Sequence, residues 1–135
     1  MIDIEEVKTV IRTRIAESLI FDISDIAWEN VQFDPANKAI WMQENYIPAI
    51  EAEATMTSNF ANGIYQFTIN TPLDSSDTLA TSKSVELGNL FKAFEVIETT
   101  NYRASIKAPS RSFEGNLDDL WYKVIIDVTL NIYEK

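Results

Sequence analysis

Glu51 and Glu53, two carboxylates one residue apart, are the pair in this 135-residue chain whose type and spacing come nearest to chemistry. A glycoside hydrolase holds two acids about 5 to 10 Å apart across a sugar cleft, and alternate residues of one strand fall in that range. Acids at such positions are, however, more often a solvated strand face than an acid/base pair. Asp118 with Asp119, and Glu44 with Asn45, offer oxygen ligands to a divalent cation, but no Asp-x-Asp-x-Asp-Gly loop or comparable spacing accompanies them. The chain has no histidine, no cysteine and 3 glycines. The usual general base, the thiolate nucleophile and the phosphate-cradling loop are therefore missing. This composition predicts a protein with no catalysis, no cofactor and no metal.

Trp28, Trp41 and Trp121 raise the question of a stacking platform for bases or sugars, which normally comes with basic or hydrogen-bonding partners. The surroundings of Trp41 are acidic, so burial in the core or at a subunit interface is the better reading, and Trp41 is a candidate interface residue. Net charge is −10, from 21 acidic and 11 basic residues, which argues against sequence-specific DNA binding. The charge is unevenly spread. From Ala39 to Ser82 there is no Lys or Arg, but there are Glu44, Glu51, Glu53, Asp74 and Asp77; from Thr99 to Phe113 stand Arg103, Lys107 and Arg111 with no acid.

These residues need a scaffold, and the length, with 46% hydrophobic residues, suits one core and a single domain over 1–135. The N-terminus MIDIEEVKTV is acidic from its third residue, unlike a secretory leader, and no stretch reaches transmembrane length. The expectation is a soluble, unexported protein. Ile4, Val7, Ile11, Ile15 and Leu19, with Val10, mark an amphipathic helix over about Asp3 to Ile20, with Asp3 and Glu6 as a capping-box-like start. Strands are predicted near Ile26 to Asn30, Ala39 to Tyr46 and Ala49 to Thr57, divided by Asp34-Pro35 and Pro48. Asn62-Gly63 reads as a hairpin turn before a strand with Tyr65, Phe67 and Ile69 on one face.

Pro72 ends that strand. Asp74, Ser75 and Ser76 then offer caps to a second helix, about Ser76 to Lys92, whose apolar end holds Leu87, Leu90, Phe91 and Phe94; close packing would explain Gly88 inside it. Tyr102 to Ala108 alternates as a strand, Pro109 to Asn116 reads as a polar loop, and Trp121 to Lys135 is a long strand with Tyr122, Val124, Ile126, Val128, Leu130 and Ile132 facing one way. This order predicts an α+β fold, a mostly antiparallel sheet with two helices packed on one side.

Trp28-Glu29-Asn30 before Phe33 and Pro35, then Tyr46-Ile47-Pro48, and Gly63 with Tyr65-Gln66 before Pro72 follow one another in an order that resembles the tail terminator proteins of long-tailed bacteriophages. The turn Leu73-Asp74-Ser75-Ser76 departs from the family, where glycine is expected. The resemblance implies a non-enzymatic virion protein of the tail, assembled in the host cytoplasm. It implies a ring, commonly six-fold, that caps the head-proximal end of the tail tube, ends tube growth and presents a surface to head-completion or neck proteins. Its partners would be itself, the tail-tube protein and the neck, with no membrane and with DNA passing through unbound. Arg103, Lys107 and Arg111 are candidates for the subunit or tail-tube interface, and Glu44, Glu51 and Glu53 for an anionic lumen wall that keeps a polyanion moving. A small acidic interaction module, monomeric or dimeric, such as an inhibitor of a basic protein, is the alternative.

Overall fold

A computed structural model describes residues 2–53, 59–73, 77–114 and 120–135. Helix α1 (Glu5–Ser18) buries Val7, Ile11 and Ile15 along one stripe. Asp3 acts on its first turn from just outside, accepting a hydrogen bond from Glu5 N at 3.0 Å, while Ile4 occupies the cap position. The predicted pairing of Asp3 with Glu6 does not form; Glu6 instead accepts from Asn101 Nδ2. Leu19 ends the helix in the left-handed region, φ 58°, and is 79% exposed, so it leaves the apolar stripe.

After a 3-10 turn at Ile23–Asp25 come β1 (Ile26–Ala27), β2 (Trp41–Glu53), β3 (Asn59–Pro72), α2 (Thr78–Gly88), β4 (Val96–Glu98), β5 (Tyr102–Ile106), β6 (Ser110–Glu114) and β7 (Trp121–Glu134). The strands form one sheet in the order β1-β2-β3-β7-β5-β4, with β6 also on β7. β1 runs parallel to β2, and every other pairing is antiparallel. The fold is therefore α+β, with a mostly antiparallel sheet. β7 is its centre: β3 lies along one edge, and the other edge is shared by β6 opposite Lys123 to Asp127 and β5 opposite Leu130 to Glu134. The inward alternation of β3 and β7 packs with both helices into one core, where Phe67 stacks on Phe91 and Tyr65 on Phe67.

Several boundaries differ from the sequence expectation, each for a local reason. Pro48 does not divide two strands. β2 runs through it, because β1 covers only Met42 and Gln43, leaving the outer edge at Pro48 without a strand among the described residues, and the ladder with β3 shifts register between Pro48 and Ile50. Asn62-Gly63 is strand, opposite Ile50 and Pro48, and the connection between β2 and β3 lies outside the described residues. Gly63 answers a packing need: a Cβ there would sit 2.4 Å from Tyr46 Oη and 2.9 Å from Ile47 O. The stretch expected as a polar loop contains β6, which the open edge of β7 recruits.

Helix α2 is shorter than predicted. Its expected caps Asp74, Ser75 and Ser76 lie outside the described residues. Gly88 is its last residue, and a Cβ added there would meet nothing nearer than Pro109 Cγ at 4.0 Å, so close packing does not explain this glycine. Phe94 lies beyond the helix and is 89% exposed. Among the described residues, no helix is long and apolar enough to cross a membrane.

Candidate functional site

The segment Trp28-Glu29-Asn30 is tied to α1 and the sheet by an ionic network that sequence reasoning missed. Arg12 Nε donates to both oxygens of Glu44, at 3.0 and 2.9 Å, and Nη2 donates to Oε1 at 2.8 Å. Glu44 also accepts from Glu29 N at 3.1 Å and from the Tyr65 hydroxyl. Glu29 Oε2 accepts from Tyr46 N, and its Oε1 lies 3.5 Å from Lys8 Nζ. One carboxylate, whose side chain has 0% exposure, thus joins α1, β2, β3 and the chain between Ala27 and Val31.

Charge is tolerated there only because it is matched. Burial pushes the Glu44 carboxyl up, but the hydrogen bonds from Arg12, Tyr65 and Glu29 N outweigh it and hold the group below its ordinary value. Tyr65 is pushed well above its ordinary range, by burial first and then by the adjacent carboxylate, so it stays a donor. Arg12 is raised in turn by Glu44.

Glu44, expected on a lumen wall, is buried within the chain and bound by Arg12, Tyr65 and the backbone of Glu29. The signal was legible in its phase: Glu44 alternates with Met42 and Tyr46, both buried, and Arg12 follows Ile11 on the flank of the helix stripe. Glu51 and Glu53 are on β2, but their side chains lie outside the described residues. Asp118 and Asp119 also lie outside them, and among the described residues no group of three His, Cys, Asp or Glu could hold a metal ion.

The basic segment is spread over β5, its exit and β6. Arg103 is exposed on β5 and pairs with Glu98 at 3.0 Å. Lys107 is exposed, with its backbone N donating to Thr129 O at 3.0 Å. Arg111 donates from Nη1 to Ser84 Oγ at 3.1 Å and lies 5.0 Å over the ring of Phe113, which is 52% exposed. Trp41 is half-buried, stacked on Phe33 at 5.2 Å and edge-on to Trp121 at 5.8 Å. Its indole nitrogen is buried without a partner among the described residues. With Trp28, Phe33 and Pro35 it walls an open cleft of about 400 Å³. Trp41 and Trp121 thus pack on one another within the chain, while the cleft beside Trp28 and Trp41 stays open.

At the other end of the sheet, β4 is an edge strand, and Phe94 just before it adopts φ 64°. Such a conformation costs a bulky residue roughly 1 to 2 kcal/mol. The backbone fixes it: Phe94 N donates to Ile106 O at 2.7 Å, and Ile106 N to Glu95 O at 2.8 Å. Glu95 is held in turn by Arg14 at 2.6 Å, which keeps its carboxyl below the ordinary value. Among the described residues, neither the buried network nor the exposed features brings a nucleophile, a base and a substrate cleft together; what they provide is a charged brace inside the fold and distinct basic and apolar exposed residues.

Comparison with known proteins agrees. A family model described as phage tail terminator protein matches residues 6–129. One solved structure superposes with a TM-score of 0.73 at 16% identity, covering 100% of this chain and 97% of the other, which supports the fold. Among curated proteins, none matches.

Proposed function

The chain belongs to the phage tail terminator family, and from that premise we propose that it caps the head-proximal end of the tail tube as an oligomeric ring, commonly of six copies. The ring ends tube growth and offers its outer surface to head-completion or neck proteins. The match over residues 6–129 carries this reading, because it spans the sheet, both helices and the Trp28-Glu29-Asn30 segment together. The family is one of structural phage proteins and not of enzymes, which supports a non-catalytic role in the virion tail; that role, the ring, its partners and its assembly in the host cytoplasm are the proposal.

Two features support it. The subunit is braced internally by the Arg12–Glu44 pair, and its exposed apolar and basic residues are unlike at different parts of the surface, as a head-to-tail contact requires. Lys107 and Arg111, with Arg103 and Trp41, are proposed to meet the neighbouring subunit or the tail tube, the three cations through its acids. Glu51 and Glu53 are the acids proposed to face the lumen, where like charge keeps DNA from adhering.

The test is electron microscopy of tail tubes assembled with and without the protein. Tubes of one length, each bearing a ring of density at one end only when the protein is present, are expected. Tubes of the same length distribution in both samples, without that density, would sink the reading.

A further inference from the structure

Phe94 is the most exposed large apolar side chain among the described residues, at 89%, and it is fixed at φ 64°. A bulky side chain is rarely held in the left-handed region, and residues kept there against their preference concentrate where the conformation is used. The bonds between Phe94, Glu95 and Ile106 leave the ring facing solvent beside the edge strand β4.

The register shows what lies at the other end. Phe94 bonds to Ile106, which is opposite Leu130; Leu130 is opposite Gly63, and Gly63 is opposite Pro48. Phe94 and Pro48 are therefore the two ends of one row of the sheet, roughly 20 Å apart at the usual strand spacing. Next to Pro48, Ile47 is 40% exposed, and β1 does not reach this level of β2.

We infer that Phe94 of one subunit seats on Ile47 and Pro48 of the next copy of this chain, and that the ring closes on this contact; the inference rests on the ring proposed above. The occupant is a second copy because the two ends differ and match. A knob at one end and an apolar step at the other make a heterologous contact, which repeats head to tail and can close. Charge agrees: exposed Lys92 and Lys107 flank Phe94, whereas β2, which carries the step, has no cation and includes Glu51 and Glu53, and Lys8, over the Tyr46 ring, is paired with Glu29. Pro48 and the register shift beside it make β2 a poor template for an added strand, so the edge is read by a side chain and not by a backbone ladder. An aromatic anchor at the centre of a contact is the usual seat of binding energy.

The conformation of Phe94 supplies a test in which stability and assembly move in opposite directions. Glycine adopts a φ of this kind without penalty, so Phe94→Gly is expected to raise the melting temperature of the subunit while raising the concentration needed for ring formation at least tenfold. Because the chain has no cysteine, introduced thiols report contacts cleanly. Phe94→Cys combined with Ile47→Cys should give, on oxidation, a ladder of covalent oligomers ending at the ring, and each single variant no more than a dimer.

All assays are run with and without tail tubes. Rings that form equally well from the Phe94→Gly protein, or a double-cysteine chain that yields no ladder, would overturn this contact and leave the ring reading intact. Wild-type protein that stays monomeric in both settings would overturn both.

Discussion

At the residue scale, Glu44 decides how much of this subunit's stability depends on charge. It is fully buried and bound by Arg12, Tyr65 and the backbone of Glu29. Replacing Arg12 by Met leaves a buried carboxylate without its counter-charge, a change expected to cost about 3 kcal/mol and read as a lower urea midpoint. The pH dependence follows from the direction of the shift. The folded-state pKa of Glu44 lies below the ordinary 4.5, so its contribution is present above that value and is lost as pH falls through the lowered one. Between about pH 6 and pH 3 the wild type should lose stability more steeply than Glu44→Gln, which is weaker throughout but has no carboxylate to protonate at this site. Tyr65 has the opposite sense. Its pKa is raised, so its contribution is complete below 10.0 and declines as pH rises beyond it; Tyr65→Phe should flatten that alkaline limb.

At the element scale, the two described glycines predict opposite outcomes from the same substitution. Gly63→Ala places a methyl group against Tyr46 Oη and the carbonyl of Ile47, and backbone yields little, so a loss of about 1 to 3 kcal/mol is expected by thermal or urea unfolding. Gly88→Ala meets nothing nearer than 4.0 Å and improves the end of α2, so the same measurement should show no loss or a gain of up to about 1 kcal/mol. The two outcomes also mark what could be read from sequence. Periodicity located α1, α2, β3, β5 and β7, because each has a buried face that repeats at 3.6 or 2 residues, as Val7, Ile11 and Ile15 or Val124, Ile126 and Val128 do. What escaped depended on partners distant along the chain. β6 exists because β7 has an edge to fill; Pro48 sits inside a strand because β1 is short; Gly63 is needed by Tyr46 across the ladder and not by a turn. Arg12 and Glu44 belong to one ion pair only once α1 lies on the sheet, so the phase of Glu44 with Met42 and Tyr46 points it inward without naming its partner.

At the scale of the whole molecule, the surface charges are expected to matter to assembly and hardly at all to folding. Arg103 and Lys107 are exposed, and exposed pairs such as Arg103 with Glu98 contribute little to stability. Reversing both to Glu should leave the unfolding free energy within about 0.5 kcal/mol while weakening assembly on tails, measured by co-sedimentation; unchanged assembly would remove these residues from the interface. Neutralising Glu51 and Glu53 to Gln should slow DNA delivery without blocking assembly, and equal infectivity would count against a lumen position. The place of β7 bears on a different stage of the protein's life, its synthesis. The strand at the centre of the sheet is the last of the seven to be made, so β3, β5 and β6 wait for it with open edges while translation proceeds. Such non-local pairing is slow and leaves unfinished chains prone to stick to one another. A product stopped before residue 121 keeps the pairings β1–β2, β2–β3 and β4–β5 but lacks the strand that joins β3, β5 and β6 into one sheet. Chains cut short before β7 are therefore expected not to reach the folded state that assembly would need, and rapid digestion of a fragment of residues 1–120 by protease, against resistance of the full chain, would check it.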